Sequence, residues 1–149
     1  MIKNYTSGVS VDKTVARIEA ALVAGAASNI SKQFKDGALV ALCFTTVEPS
    51  SMKPITIQLP ANVEGVFNAL WKTVKKPHTT TKARLLEQAE RTAWKLLQDW
   101  VEVQMSMVQM RQAEFLQVFL PYVWNGRQTL FASVKEGGFR MLAAHREIP

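Results

Sequence analysis

An α+β fold follows from three features of this 149-residue sequence. Apolar residues recur at the helical period on either side of a central stretch in which they alternate, that stretch is cut by two turn signals, and a long run beyond it holds neither glycine nor proline. Together they predict a helix, a three-stranded antiparallel sheet and a second helix, followed by a long-helix C-terminal half, all in a single domain over 1–149. Within it we distinguish an α-β-β-β-α unit over 1–74, a basic hinge over 75–81 and a mainly helical half over 82–149.

Ser10 is placed to cap a first helix over 11–25, with Val11, Val15, Ile18 and Leu22 on one face and Gly25 as its stop. From Ile30 to Lys35 the period falls to two, and Asp36-Gly37 is the signal of a two-residue hairpin. The next strand, Ala38 to Val47, is apolar on both faces over Leu39–Phe44 and reads as the central one. Glu48-Pro49-Ser50-Ser51 turns the chain, and Ile55, Ile57 and Leu59 alternate with Thr56 and Gln58 in a third strand closed by Pro60. Asn62 then caps a helix expected to turn Val63, Val66, Phe67, Leu70, Trp71 and Val74 inward.

Between Lys82 and Leu120 one straight helix would extend roughly 58 Å. Leu86, Ala89, Ala93, Leu96, Trp100, Val103, Met107 and Met110 form a seam along it, widened by Leu97, Val101, Val108 and Phe115. So much apolar surface needs a partner: either the helix breaks near 104–112 and folds back, or it packs against another copy of the chain. Pro121 ends the helical run and Asn125-Gly126 turns the chain. A last helix over about 130–143 contains Phe131, Val134, Phe139 and Leu142 and is weakened or split by Gly137-Gly138.

With 48% hydrophobic and 20% charged residues the chain is not a disordered one. A lone cysteine, Cys43, excludes a disulfide framework and reads as a small buried hydrophobe in the central strand. The residues after Met1 have no apolar run, so neither a signal nor a transit peptide is expected, and the stretch Phe115–Gly126 is too short to span a bilayer. We therefore expect a cytoplasmic protein with no membrane partner.

The formal net charge is +6, and it is local. No acidic residue lies between Glu64 and Glu87, whereas Lys72, Lys75, Lys76, Lys82 and Arg84 all do. Clustered cations of this kind attract phosphates and release counterions, giving salt-sensitive affinity for nucleic acid. His78 adds a switchable donor, and Trp71 either joins the core or, if exposed, stacks a base. Against this stands the plainer reading that the lysines only solvate a loop. A secondary basic set, Arg127, Lys135, Arg140 and Arg146 with His145, lies in the C-terminal segment. The long helix is more nearly balanced, with Glu87–Arg91 and Lys95–Asp99 at i,i+4 spacing.

For an oligomer or partner interface the candidates are Leu86, Leu96, Trp100, Val103, Met107, Met110, Phe115, Phe119, Tyr122 and Trp124, because aromatic and methionine side chains concentrate where interfaces bury area. Catalytic signatures are missing. No histidine stands near Cys43 in a nucleophile motif, Gly137-Gly138 lacks the residues of a phosphate loop, and two histidines with one cysteine make no zinc spacing. Asp99 and Glu102 share a helix face on which a hard cation or an acid–base pair is conceivable. We expect no enzyme, no cofactor and no metal.

The element order of the first half resembles that of double-stranded-RNA-binding domains, but the start of the second helix, Pro60-Ala61-Asn62-Val63-Glu64, lacks the lysines of that family. Lys3-Asn4-Tyr5-Thr6-Ser7, the stretch Gln88–Lys95, the stretch Asp99–Gln104, Phe119-Leu120-Pro121-Tyr122-Val123 and Gly137-Gly138-Phe139 resemble a group of small proteins encoded by bacteriophages, prophages and related mobile elements. The resemblance spans most of the chain and carries no site residue across. It implies a bacterial cytoplasm in which such a protein acts on nucleic acid or blocks a host or defence protein. The expectation is thus a nucleic-acid-binding accessory protein that is homo-oligomeric through its long helix, with a counter-defence or host-takeover protein, or a self-assembling interaction protein, as the rival.

Overall fold

The computed structural model describes residues 3–146, and side chains as far as Ala143. The expected α+β order is present: α1 (Val11–Ala24), β1 (Asn29–Lys35), β2 (Ala38–Val47), β3 (Pro54–Pro60), α2 (Val63–Trp71), α3 (Thr81–Gln109), α4 (Phe115–Phe119), a 3-10 turn at Leu120–Tyr122, α5 (Leu130–Glu136) and α6 (Arg140–Arg146). The sheet runs β1-β2-β3, antiparallel throughout. Asp36 and Gly37 both take positive φ, +51° and +80°, which joins β1 to β2 with the right-handed twist such a two-residue turn requires. A bulge opposite Gln33–Phe34 leaves Val40 unpaired with β1, and its carbonyl accepts the Ala61 amide instead.

Register sends Leu42, Phe44, Ile57 and Leu59 to one face, where they meet Val15, Ile18 and Leu22 of α1 and Trp94, Val101 and Met105 of α3. The opposite face carries Gln33, Gln58, Thr45 and Thr56, tied by a Gln58-to-Gln33 hydrogen bond of 2.7 Å and a Thr45–Thr56 contact of 3.0 Å. Cys43 lies buried among these polar residues as a free thiol, and burial pushes its pKa up. Val123 bridges to Ile57 on the outer edge of β3 and Trp124 donates its amide to Thr56 at 2.9 Å, so the middle of that edge is covered.

The helix ends explain where the sequence misled. In α1 the residue in left-handed geometry is Ala26 (φ +70°), with the Ala27 amide reaching the Leu22 carbonyl; Gly25 sits one place earlier with an ordinary φ. Its missing side chain serves packing, since a Cβ there would stand 1.7 Å from the Met105 methyl. The second helix stops at Trp71 rather than Val74 because the Thr73 amide and hydroxyl both donate to the Leu70 carbonyl. Only Leu70 of its apolar residues is fully buried; Val63, Val66 and Phe67 are half-buried.

Of the two fates foreseen for the long helix, the chain itself adopts the break. Arg111 takes φ +59°, and the Gln112 amide reaches back to the Met107 carbonyl. This is the glycine-type helix stop built without glycine. The chain then returns as α4, whose Phe115 and Phe119 enter the core. Phe119 meets Phe44 and Trp100 edge-on at 5.8 and 5.6 Å, and Trp100 also lies 5.3 Å from Tyr122. Gly137-Gly138 does split the last helix, Gly138 (φ +68°) closing α5 before α6 begins.

One buried hydroxyl is unpartnered. Thr14 of α1 is fully buried and its Oγ1 has no hydrogen bond, a state that costs about 1–3 kcal/mol for a desolvated polar group. Thr14→Val keeps the shape and removes the hydroxyl, so we expect stability to rise by about 1 kcal/mol, read as a higher urea midpoint at unchanged slope. A lower midpoint would show that the hydroxyl is satisfied after all.

Candidate nucleic-acid interface

The basic hinge is the turn between α2 and α3, closed at both ends by threonines. Thr73 binds back to Leu70, as above, while the buried Thr81 accepts the His78 amide on its Oγ1 at 2.8 Å and returns its own amide to the His78 carbonyl at 3.2 Å. Thr80 stands at the N-cap position without a side-chain bond, and the turn is closed by Thr81 instead. Along this turn Lys72, Lys75, Lys76 and His78 are exposed residues, and Lys82 and Arg84 follow on the first turn of α3, also exposed. None of these six is in an ion pair among the described residues. Trp71 is 38% exposed at the foot of the turn, stacked on Phe67 with ring centroids 5.9 Å apart and planes 19° apart. It is therefore not core, and one edge of an aromatic pair is open beside Lys72.

The secondary set does not join this surface by any hydrogen bond or ion pair among the described residues. Arg127 lies beyond the Asn125-Gly126 turn, and Lys135 and Arg140 are exposed on α5 and α6. The α5 helix packs on the Leu120–Tyr122 turn, which sits by Trp100, about five turns of α3 from Lys82. The side chains of His145 and Arg146 lie outside the described residues.

The interface set divides. Phe115 and Phe119 are core, because the fold-back of α4 buries them, and Leu96, Trp100, Tyr122 and Trp124 are half-buried within the chain's own packing. Leu96 and Trp100, with Ala93, Tyr122 and Pro60, line a shallow cleft between α2 and α3. Leu86, Val103 and Met110 remain exposed and Met107 half so. Further exposed apolar side chains stand on the C-terminal segment, at Phe131, Phe139, Met141 and Leu142.

Asp99 and Glu102 do not converge on a cation. Asp99 is bound by Lys3, by the Asn4 amide at 2.8 Å and by Lys95 at 3.4 Å, while Glu102 accepts from Gln98 at 2.8 Å. No cluster of three metal-ligating side chains occurs among the described residues. Burial raises the Asp99 pKa, but the hydrogen bonds from Lys3 and Asn4 and the nearby positive charges outweigh it, and the net shift is downward. The unfolded chain thus binds this proton more readily than the folded one, so the Asp99 contribution is whole above the ordinary carboxylate range and is lost as pH falls below it. Asp99→Asn is expected to flatten the acid limb of a stability-against-pH curve; an unchanged limb would contradict this account.

Sequence reasoning missed that the segment before α1 is a strap along α3. Thr92 donates to the Asn4 carbonyl at 3.0 Å, and Gln88 and Arg91 both donate to the Ser7 carbonyl at 3.1 Å. Arg91 is drawn there and to Gln88 rather than to Glu87, its expected partner, whereas the Lys95–Asp99 pair forms as spaced. The legible trace was the polar stripe Gln88, Arg91, Thr92, Lys95 and Asp99, which repeats at helical spacing beside the apolar seam. No helix among the described residues is long and apolar enough to cross a membrane. No protein-family model matches the chain, and no match to it was found among the curated proteins or the solved structures.

Proposed function

We propose that the protein is a non-enzymatic nucleic-acid-binding accessory protein that grips phosphates through the α2–α3 turn. The observation that supports this is the exposure, without an ionic partner among the described residues, of Lys72, Lys75, Lys76, Lys82 and Arg84 on a stretch that contains no acidic side chain. Unpaired cations gathered on one turn supply the electrostatic, sequence-independent part of nucleic-acid affinity. The half-open Trp71 beside them suits a single strand, whose bases are free to stack. On the resemblance to phage-encoded proteins, the setting is a bacterial cytoplasm. Fluorescence anisotropy of the full chain against labelled single- and double-stranded DNA and RNA tests the reading: saturable binding at about 50 mM salt that weakens steeply as salt rises is expected, and negligible binding to all four overturns it.

A second reading, an interaction protein that binds another protein or itself, is favoured by Phe131, Phe139, Met141 and Leu142, each at least 40% exposed on α5, α6 and the turn between them. A partner retained from nuclease-treated bacterial lysate, or a mass above 16.7 kDa by light scattering, would favour it over the first.

A further inference from the structure

Next to the basic turn, on the first half of α3, Thr81, Arg84, Leu85, Gln88 and Arg91 line an open cleft of about 280 Å³. We infer that this cleft is a seat for a single phosphate group, with Arg84 and Arg91 as its ligands. The inference rests on the nucleic-acid reading for its biological source and on separate geometry for its site.

The Arg91 guanidinium is held in place before any ligand arrives. Its Nε donates to the Ser7 carbonyl at 3.1 Å and one Nη2 proton to the Gln88 Oε1 at 2.7 Å. Gln88 is itself fixed, its amide donating to Ser7 at 3.1 Å and to Thr92 at 3.2 Å. A guanidinium has five N–H donors, so the remaining ones are unclaimed, on a side chain whose ordering cost has been met by the fold. Arg84 lies two helical turns earlier, on nearly the same side of the helix. Its side chain is exposed and makes no hydrogen bond or ion pair among the described residues.

Two guanidiniums at one cleft, one fixed and one free to close, match the oxygens of a phosphate through charge-assisted hydrogen bonds, which a lysine ammonium makes with less directional fit. Glu87 and Glu90 are the acidic residues nearest in sequence. Neither forms an ion pair with Arg84 or Arg91 among the described residues, so their charge tempers the seat without occupying it. The seat would extend the basic turn along α3, from Lys82 and Arg84 to Arg91, and its occupant is either an internal phosphodiester of the bound strand or a terminal phosphate monoester.

Titration of the full chain with inorganic pyrophosphate, followed by the Nε–Hε resonances of the arginines, tests the seat without nucleic acid. Saturable shifts at Arg84 and Arg91 with a Kd on the order of 1 mM are expected, weakened about tenfold in Arg84→Gln and unaffected in Lys13→Gln on the exposed face of α1. Arg91→Lys should lose the saturable shift at Arg84 even if the strap loosens, and because Arg84→Gln touches no bond of the fold, it decides the matter if Arg91 variants unfold. Absence of saturation, or equal effects of Arg84→Gln and Lys13→Gln, overturns the seat. If pyrophosphate saturates and no oligonucleotide binds, the seat stands and the nucleic-acid reading falls; if oligonucleotides bind and pyrophosphate does not, the reverse holds. A 5′-phosphorylated strand bound tighter than its 5′-hydroxyl form identifies the monoester, and equal binding identifies the internal phosphate.

Discussion

Phe119→Ala is expected to lower the unfolding free energy by about 3–5 kcal/mol, a third or more of the stability of a typical domain. Phe119 is fully buried and its ring contacts three others: Phe44 and Trp100 edge-on, and Phe115 at 4.8 Å. Each such pair contributes about 0.5–1.5 kcal/mol beyond area burial. The five-residue α4 has no helical stability of its own, so loss of this anchor releases the fold-back and uncovers Phe44 and Trp100 together. Urea unfolding followed by circular dichroism checks the magnitude, with Phe131→Ala, a change at a 53% exposed ring, expected within about 0.5 kcal/mol of the parent. A loss at Phe119 under about 1 kcal/mol would mean that α4 does not close the core. A midpoint that rises with protein concentration would place part of that core between copies of the chain.

The same residue shows what the sequence could and could not disclose. The elements over 11–60 were legible because each signal was local: Ser10 accepts the Lys13 amide, Asn62 accepts that of Gly65, and Asp36-Gly37 takes the two positive φ values its composition favours. The break after Gln109 was foreseen only as one of two ways to cover the seam, because its stop is Arg111 in a conformation that arginine seldom adopts, without a composition signal. The inward face of α3 was also misplaced in part. Trp94 and Met105 outside the seam are buried, while Val103 and Met110 within it are exposed, because α1, α2, the sheet and the strap press on this helix from several sides. A period alone describes a helix with one buried face. The hinge cations, by contrast, were readable as they stand, since exposure of lysines on a turn is what their solvation dictates.

If the α2–α3 turn grips phosphates as proposed, replacement of Lys72, Lys75, Lys76, Lys82 and Arg84 together by glutamine is expected to remove most of the nucleic-acid affinity and most of its salt dependence. If all five contact phosphates, the slope of log K against log salt is about −4.5 on duplex and about −3.5 on a single strand, so raising salt from about 50 to 200 mM weakens binding about 500-fold and about 130-fold respectively. The fold should survive, because all five are exposed, none is in an ion pair among the described residues, and glutamine matches lysine and arginine in helix propensity. Any slope left in the variant measures what Arg127, Lys135, Arg140 and Arg91 add; a slope equal to the parent's would move the site away from the turn altogether. Trp71→Ala then separates the substrates, since a lost stacking contact costs a single strand about 1–3 kcal/mol and leaves a duplex, whose bases are already stacked, nearly unchanged. Equal losses on both would assign Trp71 to holding α2 in place through Phe67, and the phosphates alone would account for binding.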